Sequence, residues 1–312
     1  MPVPFFGARD VDAAVPPQAA YEAVRDGFLA YARGEWTMQP KLYVTNYPAG
    51  DFRAMPALGG GHALLKWVTS FPGNPARGLP TVSGLVVLSD AETGVVVALL
   101  EAGAVTALRT GAAAVLAAET LGRADAGTAA VVGTGVNGRA AARTFVALGR
   151  RVALWDVDVA RAEAAAAQLG ADVAGSLEEA LAADLLVTVT PGKEILLPER
   201  SLQPGQHVSL MGADGPGKAE IAIAELARAR VFCDDWEQAI HGGELAAAVD
   251  AGVLERDDVT VLGDVLTGAA PGRRGPDEIT VFDSTGLAVQ DLAIALAALA
   301  RADDLDLPLI EL

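Results

Sequence analysis

The sequence is poor in the side chains that build disulfides and structural metal sites. Its one cysteine, Cys233, cannot form an internal disulfide, and the three histidines, His62, His207 and His241, are far apart. Zinc sites require Cys, His or carboxylate ligands at short, regular spacing, which these residues do not have. We therefore predict neither a disulfide framework nor a bound metal ion.

Long apolar runs and an excess of positive charge are also missing. No uninterrupted apolar run reaches the roughly 20 residues that cross a bilayer, and the N-terminus lacks the basic and then apolar layout of a secretory signal peptide. The formal net charge of −17 opposes binding to nucleic acid, which depends on clustered Lys and Arg. These absences predict a cytoplasmic protein that binds neither a membrane nor nucleic acid. The acidity suits a cationic substrate, and equally it suits an apolar, alanine-rich chain that must stay in solution.

The chain changes character near residue 120, and its length of 312 residues is typical of two domains. Helical apolar spacing over 21–32 is followed by a segment broken by Gly and Pro, in which 84–88 and 94–100 form a predicted antiparallel hairpin. Residues 106–121 are then alanine-rich and helical up to Gly122, a usual helix stop, so this helix is expected to link the domains.

Beyond residue 120, strands and helices alternate in the pattern of a parallel sheet. The strands are predicted at 129–132, 151–155, 185–190, 207–211 and 230–233, and the helices at 138–148, 159–169 and 221–229. A last apolar helix, 286–300, is expected to fold back onto the first domain. The predicted fold is α/β: a Rossmann domain over 121–285, and a discontinuous α+β domain made of 1–120 and 286–312.

A glycine motif stands where a strand meets a helix. Gly133-Thr134-Gly135-Val136-Asn137-Gly138 matches GxGxxG, whose glycines permit the turn, the approach of a pyrophosphate and close helix packing. Asp156 ends the next strand, where a carboxylate accepts hydrogen bonds from ribose hydroxyls and repels a 2′-phosphate. The motif predicts NAD, with NADP less favoured because only Arg161 offers a nearby cation. A flavin, or a glycine turn that binds nothing, are the alternatives.

Several blocks of sequence, taken in order, resemble the ornithine cyclodeaminase/mu-crystallin family. They are 61–68 (GHALLKWV), 71–75 (FPGNP), 79–84 (LPTVSG), 92–94 (ETG), 106–110 (TALRT), 212–220 (GADGPGKAE) and 282–286 (FDSTG). The family includes ornithine cyclodeaminase, archaeal-type alanine dehydrogenase, ketimine and iminosuccinate reductases, and crystallins that bind a nicotinamide cofactor. The resemblance implies a homodimer joined through the N-terminal sheets, which makes the first domain the substrate-binding and dimerisation domain, and an active site between the two domains.

The resemblance also implies residue roles. Lys66 matches a lysine near the substrate, Arg109 the arginine that binds the substrate carboxylate, and Asp214 an acid that handles protons or water. Thr81 is expected to line the substrate pocket. With the glycine motif, the expected cofactor-binding residues are Arg109, Thr110, Gly133, Thr134, Gly135, Val136, Asn137, Asp156, Thr190, Met211, Gly212 and Ser284. Lys218 and Glu220 have the spacing of charge pairs that anchor a loop.

These roles are chemically reasonable for an amino acid substrate. An arginine binds a carboxylate through two parallel hydrogen bonds, which a lysine cannot reproduce. Hydride transfer leaves an imine at Cα, so a lysine and a carboxylic acid nearby can move the protons that the reaction requires. Lys66 and Asp214 are therefore the predicted catalytic residues, provided that burial and neighbours tune their pKa values.

Two departures from the family pattern concern the substrate. Lys41 stands where many members have an arginine for the carboxylate, and Arg53 stands where ornithine cyclodeaminases have an acidic residue suited to a distal ammonium. A cation at residue 53 would repel ornithine. We therefore predict an NAD-dependent oxidoreductase of the alanine dehydrogenase or ketimine/iminosuccinate reductase type. Ornithine cyclodeaminase is the first alternative, and a non-catalytic crystallin-like protein that binds NAD(P)H and a small ligand is the second.

Overall fold

The computed structural model describes residues 2–192, 194–213, 215 and 217–312. Asp214, a predicted catalytic residue, lies outside the described residues. The strands in chain order are β1 (Pro2–Phe6), β2 (Thr37–Met38), β3 (Leu42–Asn46), β4 (Gly50–Gly59), β5 (His62–Ser70), β6 (Val82–Asp90), β7 (Val96–Glu101), β8 (Ala129–Val132), β9 (Val152–Trp155), β10 (Asp172–Val173), β11 (Leu185–Thr188), β12 (His207–Leu210), β13 (Arg230–Cys233), β14 (Val259–Val261), β15 (Thr280–Asp283) and β16 (Leu309–Glu311).

The α-helices of the described residues lie between β1 and β2 and after β7. In chain order they are α1 (Ala8–Ala14), α2 (Pro17–Ala32), α3 (Ala102–Leu121), α4 (Val136–Ala147), α5 (Val159–Leu169), α6 (Leu177–Leu181), α7 (Ile223–Leu226), α8 (Trp236–Gly242), α9 (Leu245–Asp250), α10 (Leu262–Thr267) and α11 (Ala288–Leu299). Short 3₁₀ turns occupy Asn74–Arg77, Arg256–Asp258 and Ala302–Asp304.

The chain forms two compact units. Unit 1 consists of Met1–Arg109 and Leu287–Leu312, and unit 2 of Thr110–Gly286. The sequence places the first boundary at 120/121, whereas the structure places it within α3. The second half of α3 belongs to unit 2 because it packs there: the Ser209 hydroxyl donates a hydrogen bond to the Ala114 carbonyl over 2.9 Å.

Unit 1 is built on a mostly antiparallel sheet in the order β16-β1-β7-β6-β5-β4-β2, with β3 also paired to β4. In β4 and β5 buried side chains alternate with more exposed ones, as in a sheet with one face on a core. The apolar helix α11 packs against β4, β5 and α2. It therefore covers the inner face of the sheet, which carries Lys66.

Unit 2 is a parallel sheet in the order β10-β9-β8-β11-β12-β15-β13-β14. The order reverses between β8 and β11, and ligands of such sheets bind at the carboxyl ends of the strands beside this reversal. The GxGxxG turn follows β8 and opens α4. The predicted Rossmann topology is thus present in the described residues.

Most predicted elements are found within a few residues of their expected ends, including the hairpin, now β6 and β7. The helix expected over 221–229 is an exception, because α7 spans only Ile223–Leu226. Ile221 instead forms a parallel bridge with Leu197, and the Leu197 amide donates to the Glu220 carbonyl. These hydrogen bonds hold the start of the segment in an extended conformation.

Helix α3 departs from the expectation about apolar length. Within the described residues, it is long and apolar enough by length and composition to cross a membrane, although it carries Arg109 and Glu119. However, 78% of its apolar window is buried inside the fold. Its apolar surface is therefore in contact with protein, as in a core helix.

Candidate functional site

Lys66 lies on the inner face of the unit 1 sheet and is fully buried. It occupies the middle of β5, paired with Met55 of β4 and Val86 of β6. Its Nζ is 2.6 Å from Oδ2 of Asp291 on α11, and it donates a longer hydrogen bond of 3.4 Å to Thr106 Oγ1. A lysine seldom occupies such a position without a counter-charge, and Asp291 supplies it.

Arg109 shares that counter-charge. Its Nε is 3.5 Å from the other oxygen of Asp291, Oδ1, and one terminal nitrogen donates to Gln290 Oε1 over 3.5 Å. Asp291, fully buried, therefore contacts Lys66 through one oxygen and Arg109 through the other. The structure thus brings the predicted site residues Lys66 and Arg109 together through Asp291, which the sequence analysis did not single out.

The environment of Lys66 brings its pKa close to neutrality. Burial lowers the pKa most, the Asp291 carboxylate raises it, and the positive charges of Arg109 and Lys41 lower it, so that it falls from 10.5 to about 7. A lysine with this pKa exists as amine and as ammonium at neutral pH. Such a group can both accept and donate a proton.

Arg53 is buried as well, but its charge is paired. Its Nε lies 2.6 Å from Asp51 Oδ1 and a terminal nitrogen donates to Asp51 Oδ2 over 3.2 Å. Arg53 pairs with Val68, two residues beyond Lys66 on β5. The strand register therefore places Arg53 on the same face of the sheet as Lys66. Because the Arg53–Asp51 pair has no net charge, it repels a cationic substrate less than an unpaired arginine would.

Thr81 lies apart from the unit 1 cluster, which is the group formed by Lys66, Arg109 and Asp291. It is exposed and precedes Val82, which pairs with Ser70, whereas Lys66 pairs with Val86. Four residues of strand separate the two pairs, which corresponds to roughly 13 Å. The predicted contact of Thr81 with the substrate therefore has no support from the sheet register.

The glycine turn in unit 2 has the geometry that its sequence predicts. Gly133 has φ 97° and Gly138 packs directly on the Gly133 carbonyl, so neither position has room for a larger residue. Gly135 differs, since a Cβ added there meets nothing within 4 Å. The turn leads into α4, which begins at Val136 without a side-chain cap. Uncapped backbone amides at a helix start are suited to bind a phosphate group.

Asp156 directly follows β9, beside this turn, and is buried. The Thr134 amide and hydroxyl donate to its Oδ2 over 2.7 and 2.9 Å, and the Asp158 amide to its Oδ1 over 3.0 Å. Burial raises the pKa of the Asp156 carboxyl, but these hydrogen bonds and the Arg161 guanidinium lower it further, to below the usual value. Asp156 is therefore ionised at neutral pH. Arg161 lies 3.6 Å from Asp156 and 3.3 Å from Asp158.

Further predicted cofactor residues of unit 2 lie at the same edge of the sheet, whereas Thr110 lies on α3. Thr190, Met211 and Ser284 follow the neighbouring strands β11, β12 and β15. The Ser284 hydroxyl donates over 3.0 Å to the buried carboxylate of Asp234, which also accepts a hydrogen bond from the Gly286 amide over 2.7 Å. Asp234 thus anchors the turn in which Ser284 lies.

Glu220 holds this edge together. Its fully buried carboxylate accepts hydrogen bonds of 2.6–3.1 Å from Thr188, Thr190 and the Gly212 amide. Its own amide donates to Glu244 over 2.7 Å, and burial, aided by the nearby charges of Asp283 and Glu220, raises the pKa of Glu244 to about 8. Glu220 therefore links the loops that follow β11 and β12, in agreement with an anchoring role.

Sequence reasoning missed Asp291, Gln290 and Asp51. A signal for Asp291 was present, because a single aspartate in the apolar segment Ala288–Leu299 is a charge on a helix that has to be buried. The signal for Asp51 is its spacing of two residues from Arg53, which places both side chains on one face if the segment is a strand.

Comparisons with known proteins agree with this architecture. The model of the ornithine cyclodeaminase/mu-crystallin family matches residues 6–304. Alanine dehydrogenase of Archaeoglobus fulgidus is 40% identical over 297 residues, which cover 92% of this chain and 91% of that protein. An archaeal alanine dehydrogenase dimer with bound NAD superposes with a TM-score of 0.93 at 37% identity, over 100% of this chain and 99% of that one. The structure of iminosuccinate reductase of Paracoccus denitrificans in complex with NAD⁺ superposes with a TM-score of 0.90 at 29% identity, over 100% of both chains.

Proposed function

The chain belongs to the ornithine cyclodeaminase/mu-crystallin family, and we propose that it is an NAD-dependent oxidoreductase that interconverts a small amino acid and its imino or 2-oxo acid. One observation carries the proposal: a buried lysine of near-neutral pKa and an arginine share a single buried carboxylate. This arrangement combines a proton-transfer group with a cation that can bind a carboxylate.

The described residues fit an NAD cofactor. The open space at Gly135 and the uncapped start of α4 can accept a pyrophosphate, and the ionised Asp156 can accept hydrogen bonds from a ribose. When bound, NAD supplies or accepts the hydride. Gly133, Thr134, Gly135, Val136, Asn137 and Asp156 are proposed to hold it, together with Arg109, Thr110, Thr190, Met211, Gly212 and Ser284. Arg161 leaves weaker binding of NADP open, since its half-exposed guanidinium is near Asp156.

The charge of the unit 1 cluster favours an anionic substrate group. Among the described residues that act on Lys66, Lys41 and Arg109 carry positive charges and Asp291 a negative one, and Lys66 adds a positive charge in its ammonium form. A substrate carboxylate would balance the excess positive charge. Arg109 is the proposed partner, because its guanidinium can offer two parallel donors to a carboxylate.

Lys66 is the proposed proton-transfer residue. In the reductive direction, a 2-oxo acid, ammonium, NADH and a proton give the amino acid, NAD⁺ and water. The ammonium form of Lys66 can donate a proton as the imine is reduced, and the amine form can accept one from the amino acid in the reverse direction. Asp214 is proposed, from the resemblance, to assist this proton transfer.

An assay of a panel of 2-oxo acids tests the proposal. Loss of NADH absorbance with ammonium and pyruvate, glyoxylate or oxaloacetate is the expected result, and the fastest substrate identifies the side chain. A parallel assay of ornithine with NAD⁺ measures proline. Proline formation without net change in NADH would instead establish the cyclodeaminase reaction, which the neutral Arg53–Asp51 pair permits more readily than an unpaired Arg53 would.

Arg53 is proposed to favour substrates without a distal ammonium. The Arg53→Glu variant places two carboxylates, residues 51 and 53, on the face that holds Lys66. We expect turnover of the preferred 2-oxo acid to fall at least about tenfold, and turnover of ornithine relative to it to rise, because the charge preference is reversed. Arg25→Glu, on the exposed side of α2, is the control. An unchanged substrate profile would show that Arg53 does not determine specificity.

The outer face of the unit 1 sheet is the proposed dimer interface. Leu58 of β4 and Leu65 and Trp67 of β5 are 49%, 43% and 42% exposed, on the face opposite Lys66. An apolar sheet face of this kind usually marks a protein interface. Its occupant is proposed to be a second copy of the chain, since the similar archaeal structure is a dimer.

Trp67→Asp is expected to yield monomers. A carboxylate in the centre of an apolar interface would be buried without a partner, which costs several kcal/mol of association free energy. Light scattering measures the mass of the variant beside Val253→Asp, which changes an exposed apolar residue of unit 2. A dimer of undiminished stability in Trp67→Asp would place the interface elsewhere.

A further inference from the structure

Among the described residues, Asp291 is the one carboxylate in contact with both Lys66, to which the proposed function assigns proton transfer, and Arg109, to which it assigns substrate binding. It is fully buried, within the first turn of α11, and it is the single charged residue of that helix. An ionised carboxylate at such a position is strongly destabilising unless cations compensate it. Lys66 and Arg109 supply that compensation, so the three side chains form one buried group of charges.

The geometry points to Asp291 as a positioning residue that sets both the location and the protonation of Lys66. This inference rests on the proposed function. Its Oδ2 fixes the Lys66 Nζ at 2.6 Å, and its Oδ1 lies 3.5 Å from the Arg109 Nε. Because one buried carboxylate contacts both cations, the distance between the ammonium and the guanidinium is constrained. A substrate whose carboxylate binds Arg109 then presents its Cα nitrogen to Lys66 in a constant orientation.

Asp291 itself is not suited to carry protons away. It has no exposed surface and its described charged neighbours, Lys66 and Arg109, are both cations. The exchange of protons therefore falls to Lys66, and Asp291 acts through it.

The charges around Lys66 determine what the loss of Asp291 would do. Asp291 on α11 favours the ammonium form, whereas Arg109 on α3 and Lys41 before β3 oppose it, as does burial. The Arg53–Asp51 pair on β4 is neutral as a unit. Once the Asp291 charge is removed, the remaining influences from the described residues, burial and the charges of Arg109 and Lys41, lower the pKa of Lys66 from its value of about 7.

The test is the pH dependence of amino acid oxidation by NAD⁺. This direction requires neutral Lys66, so kcat/KM of the wild type should fall as the pH drops below about 7. In Asp291→Asn this acidic limb should move to lower pH by at least about one unit, because an adjacent opposite charge shifts a pKa by roughly 1–3 units. The maximal kcat/KM should fall at least about tenfold, since the amide no longer holds the ammonium in place.

A purely structural role predicts a different result. Loss of packing or stability would lower the whole profile without moving its acidic limb, and that outcome overturns the proposal. Asp304→Asn, an exposed aspartate paired with Arg301, is the matched control and should reproduce the wild-type profile. Asp291→Glu keeps the charge and should retain a limb near the wild-type pH even if its activity is reduced.

Two further observations keep the outcomes distinct. Asp291→Asn is replaced by Asp291→Ser if circular dichroism shows that the Asn variant does not fold. The Ser variant removes the same charge and leaves room for a water molecule, so the acidic limb of its kcat/KM profile should move in the same direction. If the wild type oxidises no amino acid with NAD⁺, the proposed function has failed and not the role of Asp291. A wild type that turns over, with an acidic limb that stays in place in the Asn or Ser variant, refutes the role of Asp291 alone.

Discussion

Replacement of Lys66 by methionine is expected to lower kcat/KM for the preferred substrate by about 1000-fold. General acid–base catalysis contributes roughly 10²–10⁴-fold, and Lys66 is the one described residue of the unit 1 cluster whose pKa lies near neutrality. Methionine retains the length of the side chain but has no proton to transfer. Steady-state rates with NADH and the 2-oxo acid give the effect directly.

Stability has to be measured beside the rate, because the substitution leaves Asp291 with only Arg109 as its cation. Removal of one partner of a buried pair costs about 3–5 kcal/mol, so urea unfolding must show that the variant is folded under assay conditions. Lys41→Met is the matched comparison. Lys41 is less buried and should affect KM more than kcat. A Lys66→Met enzyme with nearly wild-type turnover would contradict the proton-transfer role.

The second prediction gives Gly135→Asp opposite effects on cofactor binding and on folding. Gly135 is the N-cap of α4, with φ −65°, and a Cβ there meets no atom within 4 Å. Aspartate is a favourable N-cap, so the free protein should be as stable as the wild type or more stable by a few tenths of a kcal/mol. The same carboxylate would occupy the space proposed for the pyrophosphate and repel it.

We therefore expect the affinity for NADH to fall about 100-fold or more, which corresponds to roughly 2.7 kcal/mol. Fluorescence titration measures the affinity, and thermal unfolding without cofactor measures the stability. Gly275→Asp, also in open space but ahead of β15, controls for the added charge. Gly138→Ala should instead lower the free energy of unfolding by about 3 kcal/mol, since its Cβ would collide with the Gly133 carbonyl. Unchanged affinity in Gly135→Asp would mean that the cofactor does not approach this turn.

Local sequence rules could predict much of unit 2. Strands β8 and β13 have the ends that the apolar pattern indicates, and α5 spans the predicted 159–169. Parallel strands buried on both faces read as short apolar runs, and a glycine with positive φ at Gly133 is required by the turn itself. Each of these signals lies within a few residues of the feature that it predicts.

The domain boundary was less accessible to such rules. Helix α3 is continuous from Ala102 to Leu121, and its sequence shows no break at the point where its contacts change from unit 1 to unit 2. A boundary within a regular helix leaves no turn residue, glycine or proline to mark it. Only the packing partners of its two halves reveal the division.

The sequence by itself determined the dinucleotide-binding turn, the family and the candidates Lys66 and Arg109, because those features depend on residue type and local spacing. Tertiary structure decided how their charges are balanced. Asp291 lies far along the chain, and it meets Lys66 and Arg109 only because α11 returns to cover the sheet of unit 1. Arg53 likewise has a net-neutral environment only because strand β4 directs Asp51 to the same face. Burial and the partner of a charge are properties of the packed fold, and they set the pKa on which the proposed chemistry depends.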